Sequence, residues 1–211
     1  MGKSFDLSVY FVADPSCCKG RDIVDVVMMA AKGGVTMVQY RNKHDPLPDI
    51  LAEAAMLQEW LAPLHIPLII NDHIDAAFAV GAAGVHLGQE DSSPVAAREK
   101  LGVDAVIGQT AFTAEHMAAI DPAVVDYVGT GPFYETQTDK GKPVLGPDKF
   151  QALVELAPVP VVGIGGITPD NARAVMTSGA DGVAMMRAIS EAENPENAAR
   201  QFQDILKERA A

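Results

Sequence analysis

Apolar residues along this chain gather into short runs bounded by glycine, proline and polar residues, and these runs alternate with stretches of helical periodicity. The runs predict strands at Leu7–Asp14, Thr36–Arg41, Pro67–Asp72, Gly84–Gly88, Ala105–Thr110, Tyr127–Gly131, Pro160–Gly166 and Gly182–Met186. Ser93 before Pro94 and Thr168 before Pro169 carry the form of a helix start, with a hydroxyl as cap and proline at the first helical position. Gly33-Gly34-Val35, Gly81-Ala82-Ala83-Gly84-Val85 and Gly179-Ala180-Asp181-Gly182-Val183 resemble one another. Each closes a helical pattern with a glycine suited to a left-handed stop and opens an apolar strand. They recur at two and then four multiples of roughly 24 residues, the length of one strand-helix unit.

Eight such units predict an α/β fold in which a single (β/α)8 TIM barrel occupies residues 1–211. A doubly wound open sheet is the competitor. Its dinucleotide fingerprint is missing, because Gly163-Ile164-Gly165-Gly166-Ile167-Thr168 lacks the third glycine and falls in the seventh strand rather than the first.

Composition narrows the choice of partners. A formal net charge of −12 works against extended binding to nucleic acid or to an anionic membrane, so an anionic ligand must be held locally by a few cations, backbone N–H groups or a metal. No apolar run approaches the ~18 residues of a membrane span, and Met1 to Tyr10 lack the form of a signal peptide, which makes the cytoplasm the expected compartment. The cysteines, Cys17 and Cys18, are adjacent and unsuited to an ordinary mutual disulfide, so both are expected to be thiols in a loop. Oligomeric state leaves no sequence signature here.

In such a barrel the chemistry sits at the carboxyl ends of the strands. Strand two ends in Gln39-Tyr40-Arg41-Asn42-Lys43, where period-two spacing sends three polar side chains to one side; a solvated strand end would carry the same pattern. Asn71-Asp72 ends strand three, and Gln89-Glu90-Asp91 follows strand four. Two acids past neighbouring strands suit Mg2+, which takes one or two carboxylates and leaves its other positions to water or phosphate, although separate helix-capping acids would look alike. Strand five ends at Thr110, and the segment from Gly131 to Pro143 carries the hydroxyls, lysines and glycines of an anion-binding flap, or of an ordinary surface loop. Gly163–Gly166 and Met186-Arg187 fall where barrels build a phosphate cup. His86, between Val85 and Leu87, is expected to be a packed barrel residue; His44, His65 and His116 fall in loops or helices, and His73 lies near the rim. No Ser-His-Asp or Cys-His constellation assembles.

The ordered set Val38-Gln39-Tyr40-Arg41-Asn42-Lys43, Ile70-Asn71-Asp72, Gly84-Val85-His86-Leu87-Gly88-Gln89-Glu90-Asp91 and Gly163-Ile164-Gly165-Gly166-Ile167 resembles the thiamine-phosphate synthases over nearly the whole chain. The resemblance implies a transferase joining an aminopyrimidine diphosphate to a thiazole phosphate, or its carboxylated form, with loss of pyrophosphate. It implies that Gln39, Arg41, Lys43 and Asn71 contact the diphosphate substrate, that Asp72 and Asp91 hold Mg2+, and that Thr110 stands near the pyrimidine. Thr136, Thr138, Gly166 and the Met186-Arg187 backbone would hold the thiazole phosphate. Arg41, Lys43, Thr110 and Lys140 are the expected catalytic residues.

The chain departs from the family pattern in a few places. Asp139 follows Thr138 where many relatives have lysine, so Lys140, or else Lys142, is expected to supply the cation; His73 and Arg187 replace a common arginine and serine. A related thiazole tautomerase would need a histidine two residues after Thr110, where this chain has Phe112, and it has no need of both Asp72 and Asp91. A regulatory barrel that binds phosphates without catalysis is the other alternative, favoured by Asp139 alone.

Overall fold

A computed structural model describes residues 5–138, 141 and 143–207. Eight strands, β1 (Val9–Ala13), β2 (Met37–Tyr40), β3 (Leu68–Asn71), β4 (Gly84–Leu87), β5 (Val106–Thr110), β6 (Tyr127–Thr130), β7 (Val161–Ile164) and β8 (Gly182–Met185), pair in sequence order and close into a barrel. All eight pairings are parallel, including β1 with β8, which removes the open-sheet alternative. Each strand falls within its predicted run, trimmed at the ends.

Helices α1 (Ile23–Gly33), α2 (Leu47–Leu61), α3 (Ile74–Val80), α4 (Pro94–Leu101), α5 (Ala114–Ala118), α6 (Gly146–Leu156) and α7 (Pro169–Thr177) follow successive strands. The short α8 (Arg187–Ser190) and the longer α9 (Pro195–Lys207) come after β8. The expected stops are present, with Gly34, Gly81 and Gly179 at φ of 99°, 65° and 96° closing α1, α3 and α7. Ser93 Oγ accepts from Ala96 N at 3.2 Å to start α4, and at α7 the N–H of Thr168 donates to Asn171 Oδ1 at 2.8 Å.

Because parallel strands bury both faces, the alternation of side chains produces two cores. Outward positions such as Phe11, Val38, Ile70, Val85, Ile107, Val128 and Val183 pack under the helices. Tyr10, Val12, Met37, Ile69, Val106, Tyr127, Val162 and Ala184 fill the barrel interior with Leu7. Toward the carboxyl end the inward positions turn polar, as in Met37, Gln39 and Arg41 or in Ile69 and Asn71, and this gradient creates a mouth at one end.

A polar clamp holds the opposite side of the fourth and fifth units. Arg98 on α4 donates to Ala105 O at 2.6 Å, Val124 O at 2.7 Å and Asp126 Oδ2 at 2.8 Å, and Asp126 Oδ2 also accepts from Ile107 N at 2.7 Å. One guanidinium therefore fixes the approach to β5 and the start of β6 through charge-assisted bonds.

Candidate active site at the barrel mouth

The mouth is a cavity of about 830 Å3. Gln39, Arg41 and Lys43 all line it, since the extended geometry of β2 continues past Tyr40 through the bond from Arg41 N to Ala13 O at 2.9 Å. The intervening Tyr40 points outward, giving its hydroxyl proton to Glu53 on α2. Asn42 caps the turn after β2, accepting from His44 N and Asp45 N at 3.1 Å each, and so sets the position of Lys43.

Asp72 and Asp91 come together on the rim. Asp72 has a φ of 63°, a left-handed conformation that aspartate tolerates better than most residues, and its N–H donates to His86 O at 2.9 Å across to β4. Asp91 turns back over its own loop, where Oδ2 accepts from Gly88 N at 2.6 Å; a Cβ on residue 88 would lie 2.8 Å from that oxygen. The two carboxyl groups are in side-chain contact, and Lys43 Nζ lies 3.0 Å from Asp72 Oδ2. Burial, followed by the neighbouring Asp91 and opposed by Lys43, raises the Asp72 carboxyl above its ordinary value. Among the described residues no group of three or more acids, histidines and cysteines forms a fuller metal cage. A carboxylate pair open to the mouth fits Mg2+, which fills its remaining positions with water and phosphate oxygens.

Across the mouth, Thr136 and Thr138 from the loop after β6 face Gly166, Met186 and Arg187. That loop is stitched to β7 by Phe133 N to Ile164 O at 2.8 Å and Tyr134 N to Gly165 O at 3.0 Å. Gly165 and Gly166 have φ of 100° and 65°, and a Cβ on either would strike Pro132 or Tyr134. The glycine run is thus required by both backbone conformation and close approach. Arg187 faces the mouth, pairing with Glu191 and placing Nε 3.4 Å from Thr138 Oγ1. Lys140, with Asp139 and Lys142, lies outside the described residues.

Several side chains at the site carried no functional assignment from the sequence. Asp14, at the end of β1 and 1% exposed, pairs with Arg41 while accepting from Ser16 N at 3.0 Å and Ser16 Oγ at 2.6 Å. Its signal was an acidic residue closing an apolar strand. Tyr10, Tyr127 and His86 form the floor: Gln39 Nε2 donates to Tyr10 Oη at 2.8 Å, Tyr10 Oη and Tyr127 Oη are 2.7 Å apart, and Tyr127 Oη lies 3.1 Å from His86 Nδ1. His86 Nε2 lies 3.0 Å from Thr110 Oγ1. His86 is packed inside the barrel, as expected, but its ring also lines the cavity. Burial lowers it from 6.5 to about 4, leaving a neutral imidazole. His73 is exposed at the start of α3, and Cys17 and Cys18 are free thiols, as expected, both of them buried.

Fold and mouth together define a (β/α)8 barrel enzyme, with paired carboxylates, focused cations and glycine-rich backbone at the strand ends suited to phosphorylated ligands. The family described as thiamine monophosphate synthase matches residues 9–189, and the chain belongs to that family of transferases. Thiamine-phosphate synthase of Azorhizobium caulinodans is 43% identical over 208 residues, covering 98% of each chain. That of Natronomonas pharaonis is 38% identical over 204 residues, covering 95% of each. The structure of thiamine phosphate pyrophosphorylase from Pyrococcus furiosus superposes with a TM-score of 0.87 at 30% identity, covering 97% of this chain and 98% of that one. 3-Hexulose-6-phosphate synthase, with a TM-score of 0.68 at 18% identity, shares the fold. Among the described residues no helix is long and apolar enough to cross a membrane.

Proposed function

We propose that the chain joins an aminopyrimidine diphosphate to a thiazole phosphate, releasing pyrophosphate and forming thiamine phosphate. The observation that carries this is the contact between the Asp72 and Asp91 side chains beside Lys43, placed next to Arg41 on the same rim. Asp72 and Asp91 would hold Mg2+, which when bound supplies divalent charge to the pyrophosphate oxygens.

The protein's own part is positioning and fixed charge. Arg41, held by Asp14, and Lys43 face the position where negative charge grows as the bond from the pyrimidine methylene to the diphosphate oxygen breaks. Gln39, Asn71 and Thr110 orient the pyrimidine end, and no protein nucleophile is needed. Thr136, Thr138, Gly166 and the backbone of Met186-Arg187 hold the thiazole phosphate, so that its ring nitrogen meets the electron-poor methylene and completes the substitution. Both substrates share one mouth, which turns an encounter into an oriented reaction. Losing about 4 kcal/mol of leaving-group stabilisation would slow the step roughly 1000-fold. Lys140 is assigned the cation that Asp139 displaces from the usual position, and an unchanged turnover in Lys140→Ala would refute that assignment.

The test is purified full-length protein with both substrates and Mg2+. Pyrophosphate release should require the thiazole phosphate and stop with a chelator. Tight binding of both substrates without release would instead support a regulatory barrel.

A further inference from the structure

We propose that the chain of side chains from Gln39 through Tyr10, Tyr127 and His86 to Thr110 is a one-way hydrogen-bond relay that fixes Thr110 as a donor into the cavity. Tyr10, Tyr127 and His86 are then positioning residues that select a ligand presenting an acceptor over Thr110.

The polarity follows from counting protons. The amide nitrogen of Gln39 has protons and no lone pair to offer, so Tyr10 Oη is the acceptor at 2.8 Å. Tyr10 has a single proton and sits in the apolar interior with Val12, Met37, Ile69 and Val106. Leaving that buried proton without a partner would be costly, and Tyr127 Oη lies 2.7 Å away to receive it. Tyr127 in turn gives its proton to His86 Nδ1 at 3.1 Å. An accepting Nδ1 puts the ring proton on Nε2, which donates to Thr110 Oγ1 at 3.0 Å. The hydroxyl proton of Thr110 is the one left over, and Thr110 lines the cavity.

Two further observations support a relay built for this purpose. Burial raises both phenols well above their ordinary range, so each keeps its single proton at neutral pH. Space for the rings comes from missing side chains: a Cβ at Gly108 would overlap the Tyr127 ring, and one at Gly129 would lie 3.1 Å from His86 Cε1. Were the Gln39 amide turned over, every bond would reverse, His86 would carry its proton on Nδ1, and Thr110 would become an acceptor. The histidine tautomer therefore reports the polarity of the whole chain.

The experiment is nitrogen-15 NMR of the intact, unliganded protein labelled in histidine, at neutral pH. His86 is expected as the neutral tautomer protonated at Nε2; a ring protonated at Nδ1, or at both nitrogens, overturns the proposal. Tyr127→Phe provides the functional arm, which rests on the synthase reading whereas the tautomer does not. It should erase the tautomer preference and raise KM for the aminopyrimidine substrate roughly fivefold to tenfold, with a smaller change in kcat. A folded Tyr127→Phe protein with the wild-type tautomer and KM overturns the proposal as well. If that variant fails to fold, the wild-type tautomer alone decides. Absence of pyrophosphate release would count against the synthase reading and leave the NMR result standing.

Discussion

Asp14 is the most informative residue to change, because it touches the proposed chemistry only through Arg41. Its carboxylate is 1% exposed, and asparagine in its place keeps an oxygen for the Ser16 N–H while removing the charge that holds the guanidinium. A hydrogen bond to a charged group contributes about 1.5–3 kcal/mol. The Arg41 side chain is 22% exposed and opens on the cavity, where water can solvate it again, so the larger cost of orphaning a fully buried charge does not apply. At tenfold per about 1.4 kcal/mol, Asp14→Asn should lower kcat/KM for the diphosphate substrate roughly 10-fold to 150-fold. Pyrophosphate release at limiting substrate measures this directly. The sharper form is a double-mutant cycle with Arg41→Met: if Asp14 works through Arg41, adding Asp14→Asn to the Arg41→Met protein should cost less than about threefold more. Fully additive losses, or a single variant within twofold of wild type, would refute this role for Asp14.

Other consequences can be measured separately. Arg98→Met removes three charge-assisted bonds, to Ala105 O, Val124 O and Asp126 Oδ2, while Asp126 keeps its bond from Ile107 N; urea denaturation should show a loss of about 3–5 kcal/mol, and a loss under 1 kcal/mol would contradict the clamp. For His86, the native ring titrates at about 4 against 6.5 when unfolded, so between those values the unfolded chain binds a proton that the native state excludes. Its contribution is complete above about pH 6.5 and is lost as pH falls toward 4, by at most about 3 kcal/mol. Urea midpoints should fall across that window less steeply in His86→Asn, and identical slopes would count against a neutral buried ring. Burial pushes the Cys18 thiol up to about 11, so iodoacetamide near neutral pH should label it only after unfolding; rapid native labelling in a Cys17→Ser background would refute this.

The barrel was legible because each unit repeats its own punctuation, with glycine closing a helix just before an apolar run, and the strands needed only trimming at their ends. The acid pair was legible for a related reason: the ends of β3 and β4 are neighbours in any closed parallel barrel, so Asp72 and Asp91 had to lie close once the order of strands was known. The floor was hidden. In Val9-Tyr10-Phe11-Val12 every residue is apolar or aromatic, and nothing in the spacing says that Tyr10 faces the interior while Phe11 lies under the helices. Tyr127 was obscured in the same way, and His86 was legible as a packed barrel residue but not as one that lines the cavity, since parallel strands bury both faces and lose the polar alternation that marks an exposed side. The pairing of Asp14 with Arg41 depends on the register of β1 against β2, which sequence spacing within either strand does not report.

The filled lower barrel has a consequence for access. Leu7, Met37, Ile69 and Val106 plug the interior beneath the tyrosines, so among the described residues the cavity has no passage through the far end of the barrel. Under the proposed reaction both substrates would therefore enter, and both products leave, at the rim formed by the carboxyl ends of the strands.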